Sequence, residues 1–182
     1  MCLREQEKDN TDVSTLKIPI CVVCAKSGIL CPKCQEKLDK GEITQDDIEI
    51  SRWFIEYESK NPQIKDCIIH KIVRVSGMLI VMISCTGKIS RAFLAKISKQ
   101  ISEEKKMNIR VIEKTSSIKK LLEQIVTPAR IIGINTIWLP DGSWESIIRI
   151  PKVDKKKMPL DANSIEEIMK KLTGEVIHIV FE

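Results

Sequence analysis

The C-terminal third alternates between two periodicities. In SSIKKLLEQIV apolar residues recur at three- and four-residue intervals, which predicts a helix. ARIIGINTIW and WESIIRIP, rich in β-branched residues, predict strands joined at Pro140-Asp141-Gly142-Ser143. Trp138 and Trp144 flank that turn, where they can pair across the strands. After a lysine-rich crossing, SIEEIMKKL predicts a helix and EVIHIVFE a closing strand. The preceding half runs in the same order: helix at DIEISRWFIEYE, strands at CIIHKIVRV and MLIVMIS, helix within ISRAFLAKISKQI, strand at NIRVIE. The pattern predicts an α+β fold with two copies of α-β-β-α-β, at 44–113 and 114–182, each with a three-stranded sheet.

Local signals sharpen the first copy. Thr44 can cap a helix running to Ser59, with Asp46, Asp47 and Glu49 near its positive end and Asn61-Pro62 as the stop. Ile50, Trp53, Phe54 and Tyr57 fall on one stripe; a base-stacking surface is conceivable, but helical spacing favours core. Ser76-Gly77 marks a hairpin corner, TGKISRAFLAKISKQISEEKK is helical throughout on periodicity, and Pro128 closes the helix before it.

Residues 1–17 hold little that can pack and read as a mobile leader. The segment 18–43 carries Cys21, Cys24, Cys31 and Cys34, two C-x2-C pairs six residues apart. Thiolates two apart on a tight turn can face one ion, so two such turns joined by a short hairpin close a tetrahedral four-sulfur site. That predicts a miniature ribbon holding Zn(II), with Gly28 at the hairpin corner and Pro32 stiffening the second turn. The alternatives are two disulfides, disfavoured in a cytoplasmic setting, and an iron–sulfur cluster. Cys2, Cys67 and Cys85 show no pairing pattern, and burial as small apolar residues accounts for the last two.

Composition and charge add direction. The 182 residues are 43% hydrophobic and 30% charged, enough for one or two modest cores. No apolar run approaches the ~18 residues that cross a bilayer, and the polar N-terminus resembles neither a secretion signal nor a transit peptide, so a cytoplasmic address is expected, with no membrane partner. Residues 1–60 carry a net charge of −3 and residues 61–182 a net +8. A basic body points to an acidic partner, nucleic acid above all, although a solvated lysine surface looks the same on charge alone. Lys88, Arg91, Lys96, Lys99, Lys105 and Lys106 crowd one predicted helix, and Arg149, Lys152, Lys155, Lys156 and Lys157 crowd the crossing after the second hairpin.

Signals for catalysis are lacking. His70 and His178 each sit in an apolar strand, as hydrogen-bonded structural histidines do. No H-x-E accompanies the cysteines, four sulfurs leave no open position for water, and neither a Walker loop nor a dinucleotide fingerprint occurs. The expectation is a non-enzyme without a small-molecule substrate.

From residue 44 onward the layout resembles tandem KH domains of the second topological type, as in NusA-like transcription factors of archaea and bacteria. Local strings carry the likeness: Thr127-Pro128-Ala129-Arg130, Ile148-Arg149-Ile150-Pro151 and Leu172-Thr173-Gly174. Archaeal proteins with a cysteine-rich leader before such domains look similar in plan. The resemblance implies binding of single-stranded RNA and contact with RNA polymerase, or residence on the ribosome. The family clamps four nucleotides with a Gly-x-x-Gly loop between two helices. Counting back from the closing strands puts that loop at Phe93-Leu94-Ala95-Lys96 and Leu160-Asp161-Ala162-Asn163, neither of which has the glycines, while Gly87-Lys88-Ile89-Ser90 keeps one but lies several residues earlier. RNA would then be held by basic surfaces: Lys88, Arg91, Lys96, Lys99, Arg130, Arg149, Lys152, Lys155, Lys156 and Lys157. The alternative is a protein–protein adaptor whose KH-like units dock a partner and have lost RNA.

Overall fold

The computed structural model describes residues 15–87 and 89–182. It shows a mixed α+β fold with two three-stranded sheets. The chain divides into two compact units, the first ending at Ile68 and the second running Ile69–Glu182.

The first unit is mostly helical. Helices α1 (Val22–Ser27) and α2 (Pro32–Asp39) carry the cysteines, and α3 spans Gln45–Lys60. Thr44 caps α3 through a capping box: its hydroxyl oxygen accepts from Asp47 N at 3.3 Å, and the Asp47 carboxylate accepts from Thr44 N at 2.7 Å. The aromatic stripe is buried as expected, with Trp53 and Tyr57 stacked at 4.7 Å and Trp53 edge-on to Phe54 at 5.2 Å. Of the expected leader, residues 15–17 are described, and they are held to the rest of this unit. Leu16 is buried, the buried Glu58 carboxylate accepts from the amides of Thr15 and Leu16 at 3.2 and 3.3 Å, and Lys17 N donates to Cys67 O at 2.9 Å.

Sheet one runs in the order β1-β2-β3: β1 (Cys67–Val75), β2 (Met78–Cys85) and β3 (Asn108–Glu113). Ser76 and Gly77 both adopt positive φ, 48° and 77°, which is what a two-residue hairpin turn demands. Helix α4 (Arg91–Lys105) crosses from β2 to β3, which pair in parallel. It begins only at Arg91 because Ser90 caps it, accepting from Phe93 N at 3.2 Å; Thr86, Gly87, Ile89 and Ser90 are therefore not helical, contrary to the periodicity. Sheet two runs β4-β5-β6: β4 (Gly133–Trp138), β5 (Trp144–Ile150) and β6 (Ile177–Phe181). Helix α5 (Ile118–Val126) precedes it, and α6 (Ala162–Thr173) crosses from β5 to the parallel β6. Trp138 and Trp144 are register partners, as expected. Pro140-Asp141-Gly142 turns the hairpin, with Gly142 at φ 84°, its amide on Leu139 O, and the Asp141 carboxylate accepting from Ser143 N at 2.9 Å.

Both sheets feed one continuous core. Met78, Ile80, Met82 and Ile112 of sheet one meet Leu121, Leu122, Ile125 and Val126 of α5, Ile148 and Ile150 of β5, and Ile165, Ile168, Met169 and Leu172 of α6. The other face of sheet one takes α4, whose Leu94, Ile97 and Ile101 are buried. Polar contacts cross-link the same elements: Ser76 Oγ lies 2.5 Å from Ser164 Oγ, and Lys71 Nζ donates to Lys171 O at the C-terminal end of α6, 3.0 Å away. Leu122→Ala, which empties a fully buried site, is expected to lower unfolding free energy in urea by about 2–5 kcal/mol, whereas Val153→Ala on the surface should stay within about 0.5 kcal/mol.

Candidate metal centre and basic surfaces

Each C-x2-C pair lies at a helix start. Cys21 and Cys31 hold the N-cap positions of α1 and α2, Cys21 alone capping through its sulfur, so the second cysteine of each pair falls in the first turn and the four sulfurs converge. The knuckles are helical turns, not a strand hairpin. Gly28, at φ 74°, ends α1, and a Cβ there would lie 2.6 Å from the Arg52 guanidinium. Pro32 opens α2 at a position that needs no amide.

All four Sγ atoms lie within 4.8 Å of one another. A tetrahedral ion with bonds of ~2.3 Å needs sulfur–sulfur edges of about 3.8 Å, so the cluster is close to the required size. All four are free cysteines rather than disulfides. Backbone amides already face the sulfurs: Cys24 N donates to Cys21 Sγ at 3.4 Å and Cys31 N to Cys24 Sγ at 3.1 Å. Burial, then the Cys21 hydrogen bond, pushes the Cys24 thiol up to about 12, and burial also raises Cys34. The Cys34 backbone amide foremost brings Cys31 down to about 7. Four crowded sulfurs cannot all ionise without a counter-charge, and a metal ion supplies it. The donor set fits a metal ion and is compatible with zinc. Cys67 and Cys85 differ from the expectation: burial describes Cys67, but each is disulfide-bonded. Cys2 lies outside the described residues.

The expected nucleic-acid cations take unequal roles. Lys88 lies outside the described residues. Arg91 and Lys99 project from α4, the former 3.5 Å from Glu123 and the latter 3.9 Å from Glu103, while Lys96 is exposed on the same helix. Arg91 and Lys99 line a groove of about 380 Å³ beside β3, together with Arg110, Ser98 and Gln124. Arg110 was missed by the sequence reading. Its Nη1 donates to three carbonyls at the end of α5, those of Gln124, Ile125 and Thr127, at 2.7 to 3.1 Å.

The crossing after β5 folds as a 3-10 turn, Lys152–Lys157, around Asp154, whose side chain is fully buried. Lys157 Nζ reaches one carboxylate oxygen at 2.7 Å, and Arg130 Nε reaches the other at 3.0 Å. Arg130 and Lys157 are thus both paired with Asp154, while their side chains stay largely exposed. Arg149 lies 3.7 Å from Glu182 and covers Gly133, where a Cβ would sit 2.8 Å from its guanidinium. Lys155 stands over the Phe181 ring at 5.0 Å, and Lys152 and Lys156 are exposed. The histidines behave as structural groups: His70 Nε2 lies 2.7 Å from Ser84 Oγ, and His178 Nε2 lies 3.1 Å from Glu145. Burial, then Lys114, lowers the His70 pKa.

The two clamp positions fare differently. Phe93–Lys96 lies inside the first turns of α4, so it is no loop; Gly87–Ser90 is the stretch that leads into α4. Leu160–Asn163 straddles the cap of α6, where Asp161 accepts from Ser164 N at 3.1 Å. Counting back by a fixed number of residues failed in the first copy because α4 is three residues longer than α6.

No family model matches the chain, and no curated protein matches it. Among solved structures, a crystallised protein designated APE1850 is similar at 21% identity and a TM-score of 0.45, over 70% of this chain and 96% of its own. No helix among the described residues is long and apolar enough to cross a membrane.

Elemental analysis of freshly purified protein is expected to find one metal per chain, and Cys24→Ser to bring it near zero; a metal-free wild type contradicts the centre. Asp154 supplies a pH test. Lys157 foremost, with Arg130, holds its carboxyl down to about 2. A depressed folded-state pKa contributes stability that is whole above the unfolded value of ~3.9 and fades as pH falls through the folded one. Asp154→Asn should therefore melt several degrees below wild type at neutral pH, with the gap closing between about pH 4 and pH 2.

Proposed function

We propose that the chain is a non-catalytic RNA-binding factor of the gene-expression machinery, NusA-like in plan, with two KH-like units of the second type and a zinc-bearing N-terminal knuckle. The observation that carries the reading is the repeated helix–strand–strand–helix–strand order, with a lysine-rich crossing before the second helix of the second copy. α3-β1-β2-α4-β3 is followed by α5-β4-β5-α6-β6, and each sheet closes on a parallel strand. In the second copy Leu160–Asn163 runs from the loop after a helical turn into the first residues of α6, close to the setting of the family's clamp.

Without glycines, close backbone approach to phosphate is blocked, and the Asp161 carboxylate repels it. Binding then falls to Lys152, Lys155 and Lys156 on the turn and to Arg91, Lys96 and Lys99 on α4. Such contact is electrostatic and nearly blind to sequence. Four thiolates complete a tetrahedral shell around zinc, so the ion is structural and fixes α1 against α2. RNA polymerase or the ribosome is the host this plan fits. An adaptor reading draws on Val23 and Ile29, apolar residues exposed by 70% and 76% beside the cysteine cluster.

Fluorescence anisotropy with single-stranded RNA at low salt tests the proposal. Binding should weaken with salt at about 0.7 log units per log unit for each phosphate contacted, and replacing Lys152, Lys155 and Lys156 with Glu should flatten that slope by about 2. Unmeasurable wild-type binding, or an unaltered slope, would move the assignment to the adaptor.

A further inference from the structure

Three of the sheet edges in the second unit are treated differently. On β3, Val111 N donates to Ser98 Oγ at 2.8 Å, Ile109 N to Ser102 Oγ at 3.0 Å, and Gln124 brackets Glu113, accepting from its N at 2.8 Å and donating to its O at 3.0 Å. On β6, Ile179 N donates to Glu166 Oε1 at 2.8 Å. Helix side chains thus cap both closing strands. On β4 no side-chain cap is present among the described residues.

The backbone register says which β4 groups are open. Leu139 N donates to Ser143 O at 2.9 Å, so by alternation Ile137, Asn135 and Gly133 face β5. Ile134, Thr136 and Trp138 then point their amides and carbonyls outward. Residues 135–138 are all exposed, Trp138 by 72%, and residues 131–139 contain no charged side chain. Solvated edges are normally guarded by charge, proline or a bulge; β4 is irregular at its start, where Ile132 N reaches Arg149 O at 2.8 Å beside the Gly133–Arg149 pair, and keeps a regular register from Ile134 to Trp138.

We propose that β4 pairs antiparallel with β4 of a second copy of this chain, about a two-fold axis at Thr136, joining two three-stranded sheets into one of six strands. Outward groups must meet outward groups, which allows a symmetric register with Thr136 opposite itself and Ile134 opposite Trp138 of the other copy, twice. Threonine pairs and aromatic–β-branched pairs are the stabilising cross-strand kinds, and no like charges meet. Ile134 packs against the core and lies on the same face as Trp138, so the indole of the other copy extends that core. A second copy suits this edge better than RNA, because residues 131–139 offer a polyanion no cation. The inference is independent of the RNA-binding proposal.

Sedimentation of the full chain, from nanomolar to high micromolar loading, tests it. Wild type should approach twice its 20.8 kDa mass at the upper end. Thr136→Lys, which places two ammonium groups on the axis, should stay monomeric with an unchanged circular-dichroism spectrum, and Thr136→Ser should dimerise as wild type does. Hydrogen exchange on wild type gives a second reading: the outward amides of Ile134, Thr136 and Trp138 should slow at least tenfold between the monomeric and dimeric concentrations. Wild type monomeric throughout, a dimer that survives Thr136→Lys, or unprotected outward amides at high concentration would each overturn the proposal. So would protection that appears only when single-stranded RNA is added.

Discussion

The contact that the C-terminal unit depends on is apolar and shared: one face of each sheet closes on the same layer of α5 and α6. Each sheet buries one face in that layer, so each covers apolar surface that the other exposes. Ile148 and Ile150 on β5 and Met78, Ile80 and Met82 on β2 are all buried in one cluster, and α5 is buried along Leu121, Leu122, Ile125 and Val126. Within Ile69–Glu182 the two sheets, α5 and α6 share one hydrophobic cluster.

Charge is organised on top of that body. The buried Asp154 gathers Arg130 and Lys157 and so shapes a lysine-rich turn that would otherwise be a floppy, self-repelling loop. Lys152, Lys155 and Lys156 are left facing outward from a fixed backbone, with Lys155 further steadied over Phe181. Cations held in place lose less freedom on meeting phosphate than cations on a coil. The four-sulfur cluster follows the same logic at smaller scale: two short helices, each begun by a cysteine, are too short to persist alone, and an ion shared by the four sulfurs would make them one piece.

Regular elements were legible in the sequence because their signals are local. The Thr44 capping box, the Ser76-Gly77 corner, the Trp138–Trp144 register and the four-cysteine spacing each occupy a few adjacent residues. What could not be read depends on distant partners. A lone aspartate in VDKKK reads as surface until Arg130 is brought beside it from β4's approach. Arg110 reads as a strand's solvent-facing residue, yet it closes the end of α5. Ser98 and Ser102, four apart on α4, read as ordinary polar helix positions; only the position of β3 reveals them as substitutes for a missing strand. The cysteine knuckles read as a hairpin because spacing constrains the sulfurs and not the backbone between them.

We propose that the turn after β5 and the exposed face of α4 present their cations to a polyanion. Backbone amide shifts in a titration with single-stranded RNA, followed residue by residue, test it most directly. The expected result is movement concentrated at 152–163 and 91–99, with the four-cysteine segment still. Shifts confined to 21–34, or no shifts at saturating RNA, would contradict it.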